Sequence, residues 1–178
     1  MQCIILEIDE DLIYLKYPIL NKKLAIDMKI ELFNADKLNF VELNITGDNN
    51  NYKRCDSESK YLDSKVFNLF TVCFENANKL YDYISSTKYN SRKIIPLRNE
   101  LIMNLEEFNK INSREKFMDN ISNRMFGMEF IEELEKNNKN WLDNWDTYLK
   151  KLKKVNKELI ELTEKCVDEE RILWVVGY

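Results

Sequence analysis

Asp27 and Lys29 sit two residues apart in a strongly alternating segment, downstream of Asp9 and Asp11. Two carboxylates holding Mg²⁺, with a lysine beside the attacking water, would make a metal-dependent nuclease. The spacing carries little weight here, because 33% of the residues are charged and acid-x-lysine pairs arise readily. Alternation also assigns both side chains to the solvated side of a strand. A second acidic group, Glu129, Glu132 and Glu133, shares one helix face through i,i+3 and i,i+4 spacing. Carboxylate metal bundles usually add an i,i+3 histidine to such a face, and this chain has no histidine. The cluster is read as a surface for a partner protein, with no metal.

Two basic groups offer a different chemistry. Lys150 and Lys154 belong to a lysine-rich stretch near Trp141 and Tyr148, and Lys88, Arg92, Lys93 and Arg98 surround Tyr89. Cations interleaved with aromatics can hold a nucleic-acid strand. Glu158, Glu161 and Glu164 follow the first group at once, and its aromatics fall in an apolar seam. Nucleic-acid binding is therefore the alternative rather than the leading reading.

The absences exclude more. Without histidine there is no Ser-His-Asp or Cys-His catalysis and no histidine metal site. The three glycines, Gly47, Gly127 and Gly177, are too dispersed for a phosphate-cradling loop. The four cysteines form no C-x-x-C pair. Cys3, Cys73 and Cys166 lie in apolar patterns, and Cys55, between Arg54 and Asp56, is expected at the surface. No catalytic residue and no cofactor is expected. A net charge of -4 gives no general attraction to nucleic acid or anionic lipid. With neither a membrane-length apolar run nor a signal-peptide pattern, a cytoplasmic protein with reduced thiols and no membrane association is expected.

The elements that would position these residues read as one α+β domain over 1–178. Residues 1–46 read as a β meander, with strands at 2–8, 12–17, 24–32 and 38–45. In the third, Leu24, Ile26, Met28, Ile30 and Leu32 alternate with polar residues. A phase slip between Phe40 and Val41 suggests a bulge in the fourth. Residues 56–168 read as helical. Leu62, Val66, Leu69, Phe70, Cys73, Ala77, Leu80 and Ile84 form the face of a first helix capped by Asp56 or Ser57. A polar connector spans 85–95, and Pro96 opens a second helix carrying Leu97, Leu101, Leu105 and Phe108. Ser113 caps a third with Phe117, Ile121 and Met125, ended by Gly127. A further helical piece covers 128–138.

The final helix has a heptad seam: Trp141, Trp145, Tyr148, Leu152, Val155, Leu159, Leu162 and Cys166. Leu142 and Leu149 widen its first half, whereas Asn156 and Thr163 narrow the second. The first half is expected to be covered by other helices of the chain. For Leu152, Val155, Leu159 and Leu162 two covers stand open: those helices, or a second copy in a homodimer. Residues 171–177 read as a strand that must join the N-terminal sheet. The fold expected is a small, mainly antiparallel sheet packed against an antiparallel helical bundle with one long C-terminal helix.

With no catalytic group apparent, the function expected is non-enzymatic binding of another protein, by occlusion or assembly. Immunity proteins, antitoxins and phage-encoded inhibitors of host defence are small acidic proteins of this general type. That association is one of type and rests on no shared residues.

Overall fold

A computed structural model describes residues 28–34 and 40–177 of the chain. Four strands, β1 (Phe40–Asn44), β2 (Lys60–Asp63), β3 (Ser86–Tyr89) and β4 (Leu173–Val176), form one antiparallel sheet. Their order is β2-β1-β4-β3. The expected union of the C-terminal strand with the earlier sheet is realised at its centre, because β4 pairs with β1 on one side and β3 on the other. Among the described residues, six α-helices accompany it: α1 (Ser64–Asn68), α2 (Thr71–Ala77), α3 (Ser91–Lys110), α4 (Arg114–Ser122), α5 (Gly127–Asn137) and α6 (Trp145–Asp168). No helix among the described residues is long and apolar enough to cross a membrane.

Both faces of the sheet are covered, which explains the irregular apolar phase of β1. Val41, Leu43, Leu62, Leu173 and Val175 join the core shared with the helices. Their neighbours Glu42 and Asn44 point the other way and are also buried. The register Phe40↔Asp63 to Leu43↔Lys60 is continuous, so no bulge follows Phe40. On that second face, Tyr52 packs on Trp174, whose indole N–H donates to the Asp48 carbonyl. Glu42 Oε1 accepts from the Asn44 amide, the Cys55 backbone N–H and the Ser59 hydroxyl, at 2.7–3.0 Å. A carboxylate that alternation sends outward is thus buried beneath the 46–59 segment and satisfied there.

The described part of the 24–32 strand, Met28–Leu32, joins no ladder. Its alternation still reports sidedness, with Ile30 buried and Lys29 and Glu31 exposed. Among the described residues 28–34, Phe33 alone bridges to the sheet, exchanging backbone hydrogen bonds with Tyr61. The strands expected at 2–8 and 12–17, with Cys3, Asp9, Asp11 and Asp27, lie outside the described residues.

The long first helix is divided. Asp56 does not cap it but closes a turn through the Glu58 N–H. Residues 60–63 become β2, because Tyr61 and Leu62 pair with β1. Asp63 caps α1 by accepting from the Lys65 N–H. At Asn78 the backbone turns extended and ends α2. Leu80 and Ile84, expected on the buried face, therefore stand exposed. The polar connector contains β3, and α3 starts before Pro96, where Asn90 accepts from the Arg92 N–H.

Ser113 caps α4 as expected, by accepting from the Lys116 N–H. Gly127 is not a stop but the first residue of α5, and the left-handed residue there is Phe126. A Cβ on Gly127 would lie 1.8 Å from the Ile121 carbonyl oxygen, so glycine is needed for the close approach of α5 to α4.

α6 packs along α3. Asn104 meets Asn156, and the first turn of α3 lies beside the last turn of α6, so the pair is antiparallel. Leu152, Val155, Leu159 and Leu162 are all buried within the single chain. The side considered for a homodimer is thus occupied by the chain's own residues. Trp141 lies in a 3-10 turn, Trp141–Asn144, rather than in the helix proper.

Candidate binding cleft

A cleft of about 760 Å³ opens where α2, α3 and α4 converge. Each element contributes the side chains that its core-facing stripe leaves at the edge. From α2 come Val72 and Cys73, and from α3 come Glu100, Met103, Asn104 and Glu107. The end of α4 and the turn after it add Asp119, Asn120, Arg124 and Met125. Val72, Met103 and Met125 are exposed, at 46%, 58% and 43%. They form an apolar rim around a polar floor.

Arg124 organises that floor. Its Nε donates to Asn120 Oδ1 at 3.0 Å, and Nη1 donates to the Leu69 carbonyl at 2.9 Å and to Asn104 Oδ1 at 2.7 Å. The guanidinium also lies over the Phe108 ring, 4.4 Å from its centroid. These four contacts fix a planar fork that would otherwise sample many rotamers. Nη2 makes no hydrogen bond among the described residues, and the carboxylate nearest to it is Glu107, at 3.7 Å. Burial draws the guanidinium pKa down, opposed by Cys73 and Glu107; an arginine stays charged regardless. Asn104 passes the network inward by donating to Asn156, which donates to the Leu101 carbonyl at 2.8 Å.

Cys73 is the one thiol in the cleft. Burial pushes it up to about 12, outweighing the lowering by Arg124, so at neutral pH it is a thiol. A nucleophile would need the thiolate. Among the described residues, no group of three acidic or thiol side chains could hold a metal ion.

The residues singled out in the sequence lie elsewhere. Glu129 and Glu132 are exposed on α5, but Glu133 is tied to Lys65 and approached by Lys136 at 3.7 Å. Lys88 donates to the Asn49 carbonyl and lies over Trp174. Arg92 and Lys93 open α3, and Arg98 lies half-buried one turn beyond them. Lys150 pairs with Asp146, and Lys154 approaches Glu158 at 3.7 Å. The two basic groups lie toward opposite ends of the α3–α6 pair, roughly 20 Å apart along α6 at 1.5 Å per residue. They are not brought together. Lys29 is exposed, with its amine 5.2 Å from the centroid of the Phe33 ring.

Sequence reading missed the cleft because its residues are scattered over α2, α3 and α4. One signal was present: Asn104 and Asn156 interrupt apolar stripes, as buried amides with partners do. Compared with models of known protein families, with curated proteins and with solved structures, the chain has no significant match in any of the three.

Proposed function

We propose that this protein is a non-enzymatic binding module that acts on another protein by occlusion or assembly, and that the α2–α3–α4 cleft is its contact surface. The observation that carries this reading is a preorganised Arg124 on the floor of a cleft rimmed by exposed Val72, Met103 and Met125. Arginine and methionine are enriched at protein interfaces, and binding energy concentrates where a few anchors are held rigid. Methionine adapts to irregular partner surfaces. The protonated Cys73 supports a surface that binds without performing chemistry. Cys73 and Cys166 are buried free thiols, which suits a reducing cytosol.

The test compares wild type with Met103→Asp in affinity capture from the source organism, followed by mass spectrometry. Met103 is exposed, so the variant should keep its fold and melting temperature while losing a partner that the wild type retains. If both recover the same proteins in the same amounts, the cleft is not the contact surface.

A further inference from the structure

We infer that the cleft recognises a carboxylate on its partner, received by Nη2 of Arg124. The inference rests on the binding reading above and names the chemistry of the occupant. Three observations support it. Arg124 is anchored through Nε and Nη1 by Asn120, Asn104 and the Leu69 carbonyl, which leaves Nη2 without a hydrogen bond among the described residues. With Nε and both Nη1 hydrogens engaged, the guanidinium still offers a carboxylate the two N–H groups of Nη2, and being already held it loses little further freedom on binding one. Among the described residues, the one carboxylate pairing with Nη2 is Glu107 at 3.7 Å, beyond hydrogen-bond length, and the Glu107 side chain is 59% exposed. It occupies the position of a counter-ion that a ligand can displace. Lys110 and Lys116 also line the cleft and pair with no acid among the described residues, so with Arg124 they balance the carboxylates of Glu100, Glu107 and Asp119 in its lining.

Met103 and Met125 line the same cleft and are exposed, so the ligand is an apolar peptide segment bearing a carboxylate. The carboxylate can be an aspartate or glutamate side chain or a chain terminus. The chemistry is shared, and the probes separate the sources.

The experiment follows the Arg124 Nε–H signal and the Met103 and Met125 methyl signals of the whole chain by NMR. Four probes are titrated separately: acetyl-leucyl-leucine with a free terminus, acetyl-leucyl-glutamate amide, acetyl-leucyl-leucine amide and inorganic phosphate. At least one of the two carboxylate peptides should move all three signals with a dissociation constant of about 1 mM, ordinary for a ligand so small. The uncharged amide should not move them. Glu107→Gln removes the competing charge and should tighten the carboxylate peptide about threefold or more. A purely structural Arg124 would show no such gain.

The inference is overturned if the amide moves the signals equally, or if phosphate binds as well as the peptides. It is also overturned if Glu107→Gln leaves affinity unchanged, or if no probe acts up to about 20 mM, far above the value expected. Retained loss of a partner in Met103→Asp alongside any of these results would sink the carboxylate and keep the binding surface. An unchanged capture by Met103→Asp would sink the surface itself.

Discussion

Glu133 shows how a residue chosen for its charge can turn out to serve the fold. Its carboxylate accepts from Lys65, the second residue of α1, and so clips α5 to the start of that helix. The hydrogen bond with Lys65 holds its pKa below the usual 4.5, against the opposing effect of burial. A depressed carboxylate pKa adds stability that is present above the unfolded-state value and lost as pH falls through the folded one. Glu133→Gln should therefore cost about 0.5–1 kcal/mol at neutral pH, since Lys65 is partly solvated. The deficit should vanish as pH drops below about 4. Asp63, beside it, is raised chiefly by burial and titrates with the opposite sign. The readout is accordingly the difference between wild-type and variant urea midpoints across pH, not the wild-type curve alone. A difference that stays constant down to pH ~3 would mean that the pair does not couple to folding.

At the scale of elements, α6 was legible as a helix and its burial was legible as a stripe, but its partner was not. A heptad seam fits a neighbour in the same chain and a second copy equally well. The neighbour is decided by Asn156, which looked like a residue narrowing the stripe and proves to be buried against α3. Two amides that meet at one level along antiparallel helices set the register between them, as a polar core residue does in a coiled coil. Asn156→Leu fills the seam with an apolar side chain and strands the Asn104 amide, a buried donor. The expected outcome is a loss of about 2 kcal/mol in urea unfolding with no change in mass by light scattering. A gain in stability would show that the amide pair is dispensable. A shift to dimer would show that the seam prefers a second copy.

For the whole molecule, β4 closes the structure. It lies between β1 and β3, and Leu173, Trp174, Val175 and Val176 are buried on both faces of the sheet. Removing 172–178 would take from β3 its strand neighbour among the described residues and uncover the Tyr52 ring that packs on Trp174. Each buried large apolar side chain stabilises by roughly 1.5–3 kcal/mol, so the truncated chain should show no cooperative thermal transition. A melting temperature equal to that of the full chain would refute the central role of β4. The short α6–β4 junction is held by Arg171, which pairs with Glu58 at 2.8 Å and Glu169 at 2.6 Å.

The sequence alone determined the class of the fold, the presence of the helices from 91 onward, though α3 starts five residues before Pro96 and α4 ends at Ser122, and the C-terminal strand. Each of these follows from local periodicity and capping, which act over a few residues: Ser113 caps α4 and the stripe of α6 is buried, as their spacing dictates. Tertiary structure decided the rest. The 58–86 segment carries a helical stripe, yet β1 claims residues 60–63 as a strand, because ladder partners and burial outweigh weak helix propensity. Glu42 is polar and buried because the 46–59 segment brings it two donors, the Cys55 N–H and the Ser59 hydroxyl, beside the Asn44 amide of β1. The cleft likewise exists only where α2, α3 and α4 meet, and Arg124 is fixed by partners 4, 20 and 55 residues away in sequence. No spacing rule along a chain can encode a site whose geometry comes from contacts that distant.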